Sequence, residues 1–349
     1  MIDSDILLQV LDASERRRVE RRKFLRSAGV AGLAVGGASL LSACGGSDST
    51  DSTATDTATA TPSPSSTDTL HDQDTLNFAL NLEYLEAQFY SYAVTGAGLP
   101  AVLTAKGDGN TTVLGTVTGG RKVTFTDPVV QQYAIEIAAD EVAHVAFLRS
   151  ALGAAEVAMR SVDIDGGTTG AFTAAARAAG ISTTTGLSTG TVDTVNGTFD
   201  PYASDENFLL AAFIFEDVGV TAYKGAAQLI SATLLLDAAS GILAAEAYHA
   251  GLIRTVLYSK GLATPNLRVQ AGMISDARDS LDGAADDDQG ITGDSVTSNV
   301  VPADSNGLVY SRTPGQVLNV VYLNSHAVVG GGFFPNGLNG NIRTSAASS

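Results

Sequence analysis

Large apolar residues gather in four stretches of helical length, each with recognisable punctuation at its ends. The first, over residues 72–94, carries Leu76, Phe78, Ala79, Leu82, Leu85, Phe89 and Tyr90, mostly three and four apart. The second opens at Asp127-Pro128, a capping side chain followed by proline at the first helical position, and runs to about Leu152. The third spans residues 204–228. The fourth spans 231–260 and stops at Gly261. This pattern predicts an all-α fold with a four-helix bundle at its centre. Two insertions interrupt it. Residues 113–126 alternate around Gly119-Gly120 and predict a small β-hairpin; residues 180–201, rich in Thr and Gly, predict a loop. Beyond Gly261 large apolar runs are few. Residues 268–281 predict a short helix, Thr313-Pro314 opens another that reaches about Leu323, and residues 330–338 predict a turn-rich segment packed on the bundle. The triplet Asp286-Asp287-Asp288 predicts a solvated acidic loop and not a calcium site.

Two of the apolar stretches contain charges that do not belong in them. Phe208 to Phe215 is apolar on every face, so the third helix is expected to be buried on most sides. Glu216 follows directly, with more apolar residues to Val220 and Tyr223. In the fourth stretch Glu246 and His249 sit between Leu243 and Ile253. A buried, unpaired carboxylate costs several kcal/mol, so it needs a cation, a proton or a hydrogen-bonding partner.

The spacing of these groups favours a cation. The second helix contains Glu141-Val142-Ala143-His144 and the fourth Glu246-Ala247-Tyr248-His249. Positions i and i+3 share a helix face, so a carboxylate and an imidazole so placed reach the same ion. The first helix has Glu83 with Tyr90 seven residues on, and the third has Glu216 with Tyr223 seven residues on. The chain thus reads as two similar halves. One Glu from each of two helices and a Glu-x-x-His from each of the other two is the inventory of a carboxylate-bridged pair of metal ions in a helical bundle. A lone Glu-x-x-His is as readily a surface pair. Two of them, using half of the four histidines in the chain, together with two single glutamates in the right order, are poorly explained by chance. Four carboxylates balance two divalent ions, and mixed oxygen and nitrogen donors suit iron or manganese better than zinc or copper. The predicted metal ligands are Glu83, Glu141, His144, Glu216, Glu246 and His249. Asp140 is either a hydrogen-bonding partner of a ligand histidine or a solvated helix residue. Glu86 could replace Glu83, but the mirrored step to the tyrosine favours Glu83. Glu136, five residues before Glu141, falls off its face. Tyr90 and Tyr223 are core residues with a polar tip or, in a sharper reading, carriers of electrons.

Through these six residues, the segment 72–260 resembles the ferritin-like superfamily. The resemblance implies that Glu83 and Glu216 are terminal ligands, that Glu141 and Glu246 bridge the metals, and that each histidine caps one of them. The tail, with Phe333-Phe334-Pro335-Asn336-Gly337-Leu338, resembles bacterial ferritin-like proteins related to plant desiccation-related proteins. Two functions are implied. One is a dimetal oxidoreductase that uses two Fe or Mn ions on a small oxidant such as oxygen or peroxide, as a ferroxidase or in the manner of the manganese catalases, which also carry insertions. The other is a non-catalytic desiccation- or stress-protective envelope protein with a vestigial or structural metal site. The resemblance assigns no catalytic residue. Storage of iron in a closed shell ranks last, because an anchor, a tether and long insertions would obstruct it; a homodimer is compatible with them.

Charge and the N-terminus place the domain. The net charge is −17 and the pI about 4.4, which excludes a nucleic-acid partner. Hydrophobic residues make up 44%, enough for a sizeable core. The first 43 residues run against the trend, with seven basic residues against five acidic. Arg21-Arg22-Lys23-Phe24-Leu25-Arg26 followed by an apolar run over 28–41 has the layout of a signal peptide and resembles a twin-arginine export signal, departing from it at Glu20. The run falls short of the roughly 20 residues that span a bilayer. Leu41-Ser42-Ala43-Cys44-Gly45 resembles a lipobox, which implies lipidation of Cys44. This is the sole cysteine, so disulfides within the chain and thiolate metal clusters are excluded. Residues 44–70 are Ser, Thr, Asp, Ala and Pro with almost nothing to bury, and predict a disordered tether. The expected layout is a signal peptide with lipobox over 1–43, a linker over 44–70, the ferritin-like bundle over 71–261 and an extension packed on it over 262–349. The protein is expected to be exported, lipid-anchored through Cys44, on the periplasmic or cell-surface face of a membrane.

Overall fold

The computed structural model describes residues 66–106, 114–181 and 197–348. The expected signal peptide, Cys44 and the tether as far as residue 65 lie outside the described residues, as does most of the predicted loop over 180–201. Among the described residues no helix is long and apolar enough to cross a membrane.

Four long helices form the bundle: α1 (Ser66–Thr95), α3 (Pro128–Leu152), α5 (Asp205–Ala227) and α6 (Thr233–Ala263). Helix α1 begins ahead of the expected residue 72, so the last five residues of the expected tether, 66–70, are helical. Once a helix is nucleated downstream, each added residue gains a hydrogen bond, so the helix extends past its apolar segment. Two helix starts follow the capping rules. The Asp127 carboxylate accepts from the Val129 N–H ahead of Pro128, and Ser204 Oγ accepts from the Asn207 N–H. The bundle is two antiparallel hairpins, α1 on α3 and α5 on α6, closed by contacts of α1 with α5 and α3 with α6. The long crossover between the hairpins carries α4 (Ala171–Ala178), a helix the apolar pattern did not announce. The short helix α2 (Ala101–Thr104) follows α1.

In α5 every residue except Glu206, Lys224 and Ala227 is buried. The reason is that α1, α6, α7 (Asn266–Asp282) and α8 (Pro314–Tyr322) all pack on it. An apolar stripe would not suffice for a helix with neighbours on all sides. Helix α8 starts in a full capping box between Thr313 and Gln316. The turn-rich segment near the end packs on the bundle as expected. Phe333 is fully buried, with its ring 4.9 Å from that of Phe215 and 5.2 Å from that of Phe172. The Asn81 side chain of α1 exchanges hydrogen bonds with the Asn339 backbone, at 2.9 and 3.2 Å.

Two expectations need correction. The described residues of this stretch, 114–126, do not form a hairpin. Val117–Gly119 is a strand, β1, but it pairs in parallel with β2 (Val162–Ile164), in the register Val117↔Val162 and Gly119↔Ile164. Gly119 and Gly120 both adopt positive φ, yet they serve close approaches instead of a turn between paired strands. A Cβ on Gly119 would lie 2.5 Å from the Asp165 backbone, and one on Gly120 would lie 2.6 Å from the Tyr92 ring. The chain beyond them bonds to the end of α1, with the Val123 N–H donating to the Ala93 carbonyl at 2.8 Å. The acidic triplet is only in part a solvated loop: Asp286 is exposed and Asp287 half-buried, and the third residue departs from the expectation. Asp288 is buried and paired with Arg278 and Arg312, at 2.7 and 2.9 Å. Its partners lie 10 and 24 residues away, beyond the reach of a local reading of charge.

Candidate metal centre

Each half of the bundle brings the same three groups inward. Helix α1 supplies Glu83 and α3 supplies Glu141 and His144; α5 supplies Glu216 and α6 supplies Glu246 and His249. All six are buried, at 0 to 9% exposure. Ligand atoms of Glu83, Glu141, His144 and Glu246 lie within 4.8 Å of one another, and so do those of Glu141, Glu216 and His249. The structure therefore brings together every residue singled out as a ligand, and Glu141 belongs to both groups.

The imidazoles show which atoms face the centre. His144 Nδ1 lies 3.2 Å from Glu83, 3.7 Å from Glu141 and 3.5 Å from Glu246. His249 Nδ1 lies 3.1 Å from Glu141 and 3.6 Å from Glu216. The two rings stack with centroids 6.1 Å apart. On its other side, His249 Nε2 is 3.5 Å from Asp140, whose side chain is 37% exposed. Of the two readings of Asp140, the geometry favours the partner of a histidine. Glu136 is exposed on α3, away from the cluster.

The tyrosines pair across the halves. Tyr90 of α1 donates its phenol proton to Glu216 of α5, and Tyr223 of α5 donates to Glu83 of α1. Each single glutamate thus has one oxygen held by a phenol and the other, Oε2, free to face the centre. The seven-residue step seen in the sequence is real, but it links each tyrosine to the opposite glutamate. The sequence reading also understated Glu86. It is 7% exposed, and its carboxylate lies in a third group with Glu216 and Glu246. Glu83 lies in a different group, with Glu141, His144 and Glu246.

Nine buried donor atoms in this cluster have no hydrogen-bond partner: Glu83 Oε2, Glu86 Oε2, both oxygens of Glu141, His144 Nδ1, Glu216 Oε2, both oxygens of Glu246 and His249 Nδ1. Buried polar atoms are seldom left so. A donor set of carboxylate oxygens and imidazole nitrogens fits a pair of borderline or hard divalent cations. The titration behaviour agrees. Burial pushes Glu83 up to about 8, with His144 opposing and Glu141 and Glu246 adding to it. Glu86, Glu216 and Glu246 are pushed up for the same first reason, burial, reinforced by one another. Burial alone would lower His144 and His249, but facing carboxylates, led by Glu83 and Glu216 respectively, hold them well above the usual imidazole value. Burial would raise Glu141, yet the imidazoles hold it below its usual range. Without metal the cluster holds protons in the places a cation would take.

This has a measurable sign. Groups raised in the folded state bind protons more tightly there than in the unfolded chain, so their stabilisation is present at low pH and lost as pH rises through the folded value. For Glu83 the window runs from 4.5 to about 8. The raised histidines act in the same sense, and only Glu141 acts in the opposite one, losing its contribution as pH falls. The melting temperature of metal-free protein is expected to fall across that window. Added Mn(II) should reverse the fall, because metal displaces protons and binds more tightly as they leave. Scanning calorimetry with and without Mn(II) reads both; a metal-free protein that becomes steadily more stable over the window would rule out the trapped protons.

Single glutamates on two helices and a Glu-x-x-His on each of the other two, all facing into a four-helix core, define a protein of the ferritin-like class. Residues 71–259, more than half of the chain, match the ferritin-like domain family, and the chain belongs to that family. Among its relatives, the ferritin-like catalase Nec2 of Nesocodon mauritianus is 26% identical over 288 residues, which covers 78% of this chain and 84% of that protein. The desiccation-related protein PCC13-62 of Craterostigma plantagineum is 27% identical over 261 residues, covering 71% of this chain and 76% of that protein. No solved structure matches the chain.

Proposed function

We propose that this protein is a dimetal oxidoreductase that decomposes peroxide, with two Mn or Fe ions held by Glu83, Glu141, His144, Glu216, Glu246 and His249. The convergence of nine unpartnered donor atoms in a buried core carries the reading. Between a ferroxidase and a catalase, the likeness to a ferritin-like catalase over most of both chains favours the second. A bound pair of redox-active ions supplies two electrons to one peroxide and takes them back from another, giving water and oxygen.

The protein's own part follows from the geometry. Glu141, close to both imidazoles, and Glu246, close to His144, would hold the pair from between its two halves. Glu83 and Glu216 would each hold one ion, aimed by the phenol of the opposite half. The apolar walls of α5 exclude bulk water, which strengthens the electrostatics inside. His144 has the most exposed side chain of the six, at 11%, so a small oxidant reaches the cluster along that edge. The signal peptide and the lipid anchor at Cys44 belong to the same reading. They would place the site on the outer face of a membrane, where peroxide arrives from the surroundings.

The test is metal content by plasma mass spectrometry, together with peroxide-dependent oxygen release, on protein folded in cells. About two Fe or Mn per chain with oxygen release is the expected result. Metal without peroxide turnover would move the assignment to ferroxidase chemistry. The likeness to a desiccation-related protein supports a second reading, a protective scaffold; a chain that holds no stoichiometric metal would favour it.

A further inference from the structure

Four charged residues of the C-terminal extension, Arg278, Asp282, Asp288 and Arg312, are buried at 1 to 7% exposure. All lie beyond residue 259, where the match to the ferritin-like family ends. The two arginines grip α5. Arg278 of α7 donates through Nη1 to the carbonyls of Phe213 and Ile214, and through Nη2 to Asp217 Oδ2 at 2.9 Å. Its guanidinium also lies over the Phe213 ring, 4.6 Å from the centre. Helix carbonyls have two lone pairs, so Phe213 and Ile214 can keep their bonds within α5 and accept Arg278 as well. Further along, the Arg312 backbone N–H donates to the Thr221 carbonyl at 3.1 Å, and the Lys224 ammonium donates to the Val309 carbonyl. Gly225 permits this approach: a Cβ there would lie 1.9 Å from the Arg312 carbonyl oxygen.

These contacts follow one side of α5. At about 100° per residue, positions 213, 214, 217, 221 and 224 fall in one sector, roughly a third of a turn from the line that joins Glu216 and Tyr223. The rotation of α5 about its axis decides where both residues of that line point. Glu216 turns its free oxygen to the centre, and Tyr223 donates to Glu83 of α1. Apolar burial is non-directional, so packing alone sets that rotation loosely, whereas hydrogen bonds to backbone carbonyls fix it. We propose that Arg278 is a positioning residue for the metal centre: through Phe213, Ile214 and Asp217 it fixes the rotation of α5, which aims Glu216 directly and Glu83 through Tyr223. This rests on the dimetal reading. The extension is then part of the metal-binding unit as well as a cover over it. Lysine at this position would keep the charge and lose the planar fork that reaches two carbonyls and two carboxylates at once.

The experiment is calorimetric titration of the metal-free full chain with Mn(II), with the electron paramagnetic resonance spectrum of the loaded protein and urea unfolding of the same samples. Arg278→Lys should fold, bind Mn(II) ~10- to 100-fold more weakly and give a changed spectrum. Arg278→Met should weaken binding at least as much and lose more stability; if it does not fold, the lysine variant carries the test. Phe334→Leu is the reference. It thins the packing of the extension on Tyr322, whose ring is 6.4 Å away, and removes none of the hydrogen bonds of Arg278. It should unfold at lower urea, yet bind and resonate like wild type. An Arg278→Lys variant with wild-type affinity and spectrum would overturn the proposal. So would a Phe334→Leu variant that weakens binding to the same extent, because general loosening of the extension would then suffice. A wild type that binds no Mn(II) under any condition would instead overturn the dimetal reading.

Discussion

Exchanging both Glu141 and Glu246 for alanine is expected to strip the protein of metal, from about two ions per chain to none, and to leave the bundle folded. Glu141 is within 3.7 Å of His144 Nδ1 and 3.1 Å of His249 Nδ1, so its loss is felt by both ions. Glu246 sits 3.5 Å from His144 and shares a group with Glu86 and Glu216. The fold should tolerate the change because alanine is the best helix former and because two buried carboxylates are removed whose only compensation besides metal or protons comes from the two imidazoles. Two signatures should appear together. Metal-free wild type and metal-free variant should melt at similar temperatures, with the variant equal or higher. Mn(II) at a hundred times its dissociation constant should stabilise wild type by about 2.7 kcal/mol for each ion bound and the variant not at all. A variant that keeps wild-type metal would place the ions elsewhere in the chain, and the proposed centre would have to be abandoned.

How much of this could be read from sequence depends on the range of the physics involved. The four helices were legible because their signals are local: the Asp127-Pro128 start, the Ser204 cap and the apolar run from Phe208 to Phe215 lie within one element each. The six site residues were legible for the same reason, since Glu-x-x-His and the Glu to Tyr step repeat along single helices. Failures came where partners are distant. The strand at Val117 alternates as a hairpin would, but its partner is Val162, and nothing near Gly119-Gly120 announces it. Glu86 looked like a substitute for Glu83 because both lie on one helix; only the groups on α5 and α6 show that Glu86 gathers with Glu216 and Glu246, while Glu83 gathers with Glu141, His144 and Glu246. The tyrosine pairing across the halves, Tyr90 with Glu216 and Tyr223 with Glu83, could not be seen from a repeat that sets each tyrosine beside its own glutamate.

The acidic triplet is the sharpest case of a distant partner, and it supports a second large effect: Arg312→Met should lower the free energy of unfolding by about 3–5 kcal/mol. Arg312 is 1% exposed and pairs with Asp282 and Asp288; its Nη1 also donates to Thr221 Oγ1 on α5, at 3.0 Å. Asp288 passes the chain of charges to Arg278, which also holds Asp217 at 2.9 Å, and Arg254 holds the same Asp217 oxygen at 2.7 Å. Three arginines balance three aspartates with almost no solvent contact, and the network runs from the C-terminal extension to the residue beside Glu216. Methionine fills much of the arginine's volume, so the loss is one of charge compensation more than of packing. Asp282 and Asp288 would be left as uncompensated buried carboxylates. Asp282 already rises to about 6 because burial outweighs Arg312, so it would take up a proton first. Asp288 is held below its usual value by Arg278 and Arg312 against the effect of burial, and it would keep half of its support. Removing both ends of the outer pair together, Arg312→Met with Asp282→Leu, should recover much of the loss, because an ion pair replaced as a unit leaves no orphan charge. Urea unfolding of the two variants against wild type measures the difference. A loss below about 1 kcal/mol for Arg312→Met would put the pair in the class of solvent-screened surface bridges and contradict the burial of the network.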